Sequence, residues 1–240
     1  MSATGTEDRS GLGRRLAAVA VAIATALVIT GVTIALFFNP VWVPFAQGRA
    51  NAAAYTGWTP GQVDAVTRDI VLEVWFGPGT FVEEVDGEPV FNERERSHMA
   101  DVRGVVLGFY GFVVVGALVL LGTGAASRGS RWFWRAVGTG AAGLAIGTLV
   151  VGGAFLLLFD TAFRLFHQLF FAAGTWSFDP ATDRLVQLFP YQFWTETSVA
   201  IAAVGLGLTL FVWALARRLA APRGGPPVAA GAVAAGGDAS

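Results

Sequence analysis

Cysteine and lysine are absent from this chain of 240 residues, and histidine occurs only twice. Without cysteine the chain can form no disulfide, thiolate metal site or iron–sulfur cluster, and it cannot use a thiol nucleophile. Charged residues make up only 14% of the sequence and hydrophobic residues 54%, whereas about 25% of an ordinary soluble domain is charged. The formal net charge of −1 offers no basic excess for binding nucleic acid. The composition therefore indicates an integral membrane protein.

Four apolar segments are long enough to cross a hydrocarbon core of about 30 Å, which needs about 20 helical residues. They are Leu16–Phe38, Val105–Leu121, Ala136–Phe159 and Ser198–Ala216. The first is longer than the roughly 7–15 apolar residues of a cleaved signal peptide, so we expect it to be a retained span. Glycines spaced four residues apart predict close helix contacts at Gly104 with Gly108 and at Gly143 with Gly147.

The arginines at the ends of these segments predict the orientation of the chain. They precede the first segment, fill the loop between the second and third, and follow the fourth: Arg9, Arg14 and Arg15; Arg128, Arg131 and Arg135; Arg217, Arg218 and Arg223. The positive-inside rule makes these regions cytoplasmic. We therefore expect a cytoplasmic N-terminus (1–15), a four-helix membrane domain (16–220) with outer loops 39–104 and 160–197, and a disordered cytoplasmic tail (221–240) rich in glycine, alanine and proline.

The first outer loop carries the signals of a small folded cap. Residues 59–62 (Thr-Pro-Gly-Gln) form a capping-box pattern with proline at the first helical position, and the apolar spacing that follows predicts an amphipathic helix over residues 60–75. The Asp86-Gly87 pair predicts a tight hairpin, in which Pro89 confines the second strand to an edge or a very short length. Asn92–Glu95 predicts a second capped start, on a helix that continues into the second span. The predicted fold class is an all-α membrane protein with four transmembrane helices, both termini cytoplasmic, and a small extracytoplasmic α/β cap.

The two histidines are the candidate functional groups, because ionisable side chains at a membrane boundary are rare and by default functional. His98 and His167 each lie near the outer end of an apolar segment. If the spans pack as a bundle, both imidazoles reach one membrane face and can share a pocket. An imidazole suits general acid–base catalysis when its pKa lies near the operating pH.

Charged residues at helical spacing from the histidines are candidate supporting groups. Asp101 lies within one turn of His98 and could fix its tautomer. Asp160 and Arg164 lie on one helical stripe with His167 and Phe171. We expect a polar network there, with a structural Asp160–Arg164 pair beside a spectator histidine as the alternative.

Aromatic residues are dense in the second outer loop, between residues 163 and 194. Aromatic belts at membrane interfaces are ordinary, so most of these side chains are expected to be anchors. We expect the ones beside His167 to line a lipid-facing, substrate-binding groove: Phe166, Phe170, Phe171 and Trp176.

Several chemistries are open to two histidines at a membrane edge. Serine hydrolysis fits poorly, since there is no Gly-x-Ser-x-Gly elbow and Ser97 lies on a different helical face from His98. A zinc site with added carboxylates is a weak alternative without the HExxH spacing. A non-catalytic bis-histidine haem protein and a scaffold with structural histidines are further alternatives. General acid–base catalysis makes the least exacting demand and matches the site best.

Two runs resemble a bacterial integral membrane family that includes the lipoprotein intramolecular transacylase. They are ERSHMADVRGV at residues 95–105 and FHQLFFAAGTWSFDPATDRLVQLFPYQFW at residues 166–194. The four-span layout and short cytoplasmic linker also match, and the resemblance covers the bulk of residues 10–220. It implies an enzyme that works at the outer face of the cytoplasmic membrane. That enzyme moves an acyl chain from the glycerol of a lipidated N-terminal cysteine onto the α-amine of the same cysteine, which leaves a lyso-form lipoprotein.

The resemblance also implies roles for particular residues. His98 and His167 correspond to the family's two catalysis-linked histidines, with His167 as base and His98 as acid or oxyanion donor, or the reverse. Arg94, Arg103 or Arg164 would stabilise the oxyanion or hold a polar part of the substrate. The implied partners are a diacylated lipoprotein and membrane lipid, with no metal or organic cofactor and no nucleic acid.

Overall fold

The computed structural model describes residues 4–222, so the tail predicted to be disordered lies, from residue 223 onward, outside the described residues. Along the chain the elements are α1 (Thr4–Phe37), α2 (Trp42–Arg49), α3 (Ala52–Thr56), α4 (Pro60–Phe76), β1 (Glu84–Val85), β2 (Glu88–Pro89), α5 (Glu93–Ala126), α6 (Arg131–Leu157), α7 (Phe159–Phe170), α8 (Arg184–Leu188) and α9 (Tyr191–Ala220). Helices α1, α5, α6 and α9 are each long and apolar enough to cross a membrane. The predicted fold class, a helical multi-pass membrane protein with one small sheet, is confirmed.

The four long helices form a bundle in which α1 touches each of the other three, and α6 also packs along α9. Close approach of α1 and α6 depends on Gly140, where an added Cβ would collide with the backbone carbonyl of Ala22. The glycine pairs predicted from spacing are wrong as contact sites. A Cβ added at Gly104, Gly108, Gly143 or Gly147 would meet nothing within 4 Å, because these glycines lie on faces turned away from neighbouring helices.

Helix α5 begins well above its apolar part. Its first eleven residues, Glu93–Arg103, include six charged side chains, which cannot be placed in hydrocarbon without large cost. The stretch that suits hydrocarbon therefore begins at Gly104. Large apolar side chains such as Leu118 on α5 and Val150 on α6 are exposed, as expected for surfaces that face lipid.

The segments at the start of α5 and between α1 and α5 build the predicted cap. Both predicted capping boxes form, Thr59 with Gln62 at α4 and Asn92 with Glu95 at α5. The hairpin pairs Val85 with Glu88 around a turn at Asp86 and Gly87, whose φ values of 54° and 82° are those of a tight hairpin turn. The cap core buries one face of α4 with the aromatic side chains that flank the hairpin: Val63, Val66, Ile70, Val74, Phe81 and Phe91.

The third predicted span was expected to continue as one helix through Asp160 and His167, and the structure differs. The span does not continue straight past the membrane edge but bends at Leu158 (φ −131°, ψ 40°), and the separate helix α7 follows. None of the residues of α7 is buried, and its apolar side chains Leu165 and Leu169 are exposed. A straight extension would lift these side chains into water. The bend lets an amphipathic helix lie along the interface instead.

Candidate active site

The structure brings the two histidines together from different elements. His98 lies one turn into α5 and is 5% exposed, and His167 lies near the end of α7. Their ring centroids are 6.0 Å apart and their planes differ by 19°. The two imidazoles therefore lie side by side, as expected from the sequence.

Five aromatic side chains surround the rings, and we call them the aromatic box: Phe163, Phe166, Phe171, Trp176 and Phe178. Phe171 is buried and touches both histidines, with ring centroids 4.7 Å from His98 and 5.4 Å from His167. Phe163 lies 4.0 Å from the His167 ring and Trp176 lies 5.1 Å from it. The box makes the surroundings of both imidazoles apolar.

The predicted groove residues fit this arrangement unevenly. Phe166, Phe171 and Trp176 belong to the box, whereas Phe170 packs on Phe166 and is half-exposed. Phe163 was missed by the sequence analysis, although it lies four residues before His167 on one helix and could have been found from that spacing. Phe178, centred 5.4 Å from the His98 ring, carried no local signal.

The hydrogen bond of His167 determines which of its nitrogens can accept a proton. Its Nδ1 lies 2.8 Å from the carbonyl oxygen of Phe163. A carbonyl only accepts, so we assign the proton to Nδ1, which leaves the lone pair on Nε2. Burial lowers the pKa of His167 below its ordinary 6.5, and the bond to Phe163 opposes part of that effect. His167 is thus a neutral base at neutral pH.

His98 is still more strongly desolvated. Its Nδ1 is buried and has no hydrogen-bond partner among the described residues. Burial lowers the pKa of His98 to about 4, the nearby His167 acts in the same direction, and the charge of Asp101 acts against them. Both rings are therefore uncharged at neutral pH, the form in which an imidazole can accept a proton.

The predicted supporting residues mostly lie outside the box. Asp101 is exposed and makes no hydrogen bond to His98 within residues 4–222, so it does not orient that ring. Asp160 and Arg164 are exposed and form no ion pair in the described part of the chain. The expected network with His167 is absent there, consistent with the small gain that exposed ion pairs make in water.

Arg103 binds backbone carbonyls at the end of α4. It donates to the carbonyl oxygen of Gly77 at 2.7 Å and lies 3.4 Å from that of Glu73. These are carbonyls at the C-terminal end of α4, where helices leave acceptors unpaired and favour positive charge. Arg103 therefore ties α4 to α5.

A polar cluster at the start of α5 holds the second outer loop over His98, and we call it the α5 clamp: Asn92, Arg94, Glu95 and Asp183. Asp183 is 4% exposed and accepts from Arg94 at 2.7 Å and from Asn92 at 3.0 Å. Glu95 is 1% exposed and accepts from the backbone N–H of Leu185 at 2.7 Å. The Arg94 guanidinium also lies over the Phe178 ring, 5.0 Å from its centroid. The clamp thus connects the loop, the aromatic box and the helix of His98.

The pattern of the family described as lipoprotein intramolecular transacylase Lit matches residues 17–194. An uncharacterized protein of Aquifex aeolicus (strain VF5) is 27% identical over 118 residues, or 49% of this chain and 52% of that protein. The chain thus matches about half the length of that curated relative.

Solved structures with the same fold come from the membrane integral lipoprotein intramolecular transacylase Lit of Bacillus cereus. One has a TM-score of 0.73 at 20% identity and covers 87% of this chain and 96% of that one. A second, with one histidine replaced by arginine, has a TM-score of 0.74 at 18% identity and covers 91% and 96%. At this identity the structures establish the fold, and the match over residues 17–194 establishes the family. The chain belongs to the lipoprotein intramolecular transacylase family, Lit.

Proposed function

We propose that this protein transfers an acyl chain within a diacylated lipoprotein, from an ester oxygen of the glycerol to the α-amine of the lipidated N-terminal cysteine. The observation that carries the proposal is His167, whose Nδ1 is 2.8 Å from the Phe163 carbonyl and whose ring centre is 6.0 Å from that of His98. A free Nε2 lone pair beside a second neutral imidazole is what proton transfer in such a reaction needs.

In the first step the neutral amine attacks the ester carbonyl carbon. A nitrogen–carbon bond forms, the carbonyl electron pair moves onto oxygen, and Nε2 of His167 takes the proton that the amine loses. Because nucleophile and ester belong to one substrate molecule, the protein mainly supplies orientation and proton transfer.

In the second step the tetrahedral intermediate collapses and the bond from carbon to the glycerol oxygen breaks. The leaving oxygen takes a proton from the imidazolium of His167, either directly or through His98, which receives one proton as it gives up the other, so both rings return to the neutral form. The product carries an amide and a free hydroxyl. The apolar box suits the acyl chain and limits water, which would otherwise hydrolyse the ester. Arg94 of the α5 clamp lies over the ring of Phe178, 5.0 Å from its centroid, where it supports the box.

The side of the membrane is part of the proposal. The described arginines of the three clusters lie at the ends of the spans opposite to the cap, and the positive-inside rule assigns those ends to the cytoplasm. They are Arg14 and Arg15, Arg128, Arg131 and Arg135, and Arg217 and Arg218. The histidine pair then lies at the extracytoplasmic face, where the N-terminus of an exported lipoprotein is exposed.

The test is expression in a bacterial host that lacks such an enzyme, with mass spectrometry of the N-terminal peptide of one lipoprotein. The unmodified protein should yield the N-acylated form that has lost one ester-linked chain. His98→Ala and His167→Ala should each lower the rate by about 10²–10⁴-fold, the usual contribution of general acid–base catalysis.

The matched controls are Ser97→Ala and Gln168→Ala, exposed neighbours of the two histidines on the same helices. These variants should retain activity, and all four should accumulate in membranes like the unmodified protein. Full activity in both histidine variants would contradict the proposal, as would a haem spectrum from the purified protein.

A further inference from the structure

One member of the aromatic box carries a polar group that forms no hydrogen bond with the described residues. The Nε1 of Trp176 is buried and has no hydrogen-bond partner among the described residues. A buried donor without an acceptor is destabilising and rare in native proteins. The apolar box could have been closed by phenylalanine, as its other four members show, so the indole N–H itself requires an explanation.

Two other tryptophans of the outer layer have acceptors for their N–H. Trp75 donates to the carbonyl oxygen of Phe38 at 3.0 Å, and Trp42 lies 3.4 Å from the hydroxyl of Thr197. Trp176 differs because its ring packs against His167, with centroids 5.1 Å apart. Its ring therefore lies beside the proposed base.

The backbone around Trp176 is fixed on both sides. Before it, the N–H and hydroxyl of Thr175 both donate to the carbonyl oxygen of Ala172, at 3.2 and 2.9 Å, in a turn where Gly174 has a φ of +85°. After it, the N–H of Asp179 donates to Asp183 of the α5 clamp at 2.7 Å. The backbone on both sides of the indole is thus ordered before any ligand arrives, and preorganised donors of this kind stabilise developing charge.

We propose that the Nε1–H of Trp176 binds the carbonyl oxygen of the ester under attack and stabilises the oxyanion of the tetrahedral intermediate. This inference rests on the proposed acyl transfer. The base His167 then acts at the amine while Trp176 acts at the carbonyl oxygen of the same reacting group. The proton that His167 takes from the amine then goes to the departing glycerol oxygen, directly or through His98.

The first test compares Trp176→Phe, which keeps an aromatic ring but removes the N–H together with the fused five-membered ring, with Trp213→Phe, which makes the same change elsewhere. Trp213 packs under Arg217 at the far end of α9, so its variant should match the unmodified protein. Trp176→Phe should lower kcat by about 10²–10³-fold, the usual effect of losing one oxyanion donor, with little change in KM. An unchanged kcat would overturn the proposal.

The second test does not depend on turnover. In the His167→Asn variant with ¹⁵N-labelled tryptophan, the indole signal absent from Trp176→Phe identifies Nε1. Adding a dipalmitoylglyceryl-cysteine dipeptide should move that proton signal downfield, whereas the same dipeptide with ether-linked chains, which lack the carbonyl, should not. Equal shifts with both probes, or none, would overturn the role of Trp176. If the unmodified protein makes no lyso-form lipoprotein but the ester-specific shift is present, acyl transfer fails and the carbonyl-binding site stands.

Discussion

The chemistry of the site depends on the small number of polar groups that contact the two imidazoles. Among residues 4–222, His98 has no hydrogen bond at its buried Nδ1, and His167 has one, to the Phe163 carbonyl. Phenylalanine and tryptophan rings occupy the positions where charged partners were expected. Both histidines are therefore held in the neutral form at neutral pH, the form in which one can accept a proton.

This environment sets the pH at which each ring titrates. Burial favours the uncharged imidazole, so protonation requires a lower pH than the ordinary 6.5. In detergent-solubilised protein with ¹³C-labelled histidine, both ring signals should titrate below pH 6.5, and that of His98 near pH 4. The chain has only two histidines, so single substitutions assign the signals. Titration of either ring at or above pH 6.5 would contradict the buried, unpaired geometry.

Sequence reasoning at the residue scale found the chemical groups but not their partners. The scarcity of histidine pointed to His98 and His167, and local aromatic density pointed to Phe171 and Trp176. The contacts expected from Asp101, Asp160 and Arg164 to the histidines are absent among the described residues. Helical spacing gives proximity along one helix, but it does not decide whether a side chain turns to solvent. Asp183 was missed because its partner Arg94 is distant in the sequence and no local pattern joins them.

Individual elements follow local signals where those signals are strong. Both capping boxes and the Asp86-Gly87 turn form as predicted, because each depends on hydrogen bonds and backbone angles within a few residues. The short helices α2 and α8 had no such signal. They are joined through the buried Gln47, whose side chain donates to the carbonyl oxygen of Leu188 at 2.8 Å and accepts from Thr67 on α4. Contacts of this kind are set by packing.

The contact between α1 and α6 gives a prediction at the element scale. Gly140→Ala places a Cβ against the Ala22 carbonyl, and such overpacking costs about 1–3 kcal/mol. Gly143→Ala is the same change on the same helix with open space around it, and it should be neutral or slightly stabilising. Thermal unfolding in detergent should show a lower Tm for Gly140→Ala alone. Equal Tm values for the two variants would show that the helices do not approach at Gly140.

At the scale of the whole molecule, the bundle and the segments above it each position part of the site. The bundle sets α1 against the other three long helices, and α7 and the second outer loop return over the start of α5. The α5 clamp bonds that loop to the start of α5. His98 and His167 therefore meet although α5 and α7 are far apart in the sequence. The site therefore exists only when the cap is docked on the bundle.

The orientation of the whole molecule can be tested with single cysteines, because the chain has none of its own. Glu88→Cys places a thiol on the exposed hairpin and Ala126→Cys places one at the exposed opposite end of α5. In intact cells a membrane-impermeant maleimide should label the first, and it should label the second only after permeabilisation. The reverse pattern would put the histidines on the cytoplasmic side and contradict the proposed location.

The sequence by itself determined the class of protein, the four spans, the capped helix starts, the hairpin and the two histidines. Each of these follows from composition, from apolar length or from bonding within a few residues. Only the tertiary structure decided the bend at Leu158, the glycine that lets helices approach, the α5 clamp and the unused N–H of Trp176. These features depend on contacts between residues far apart in the chain and on burial, and burial exists only once the chain has packed.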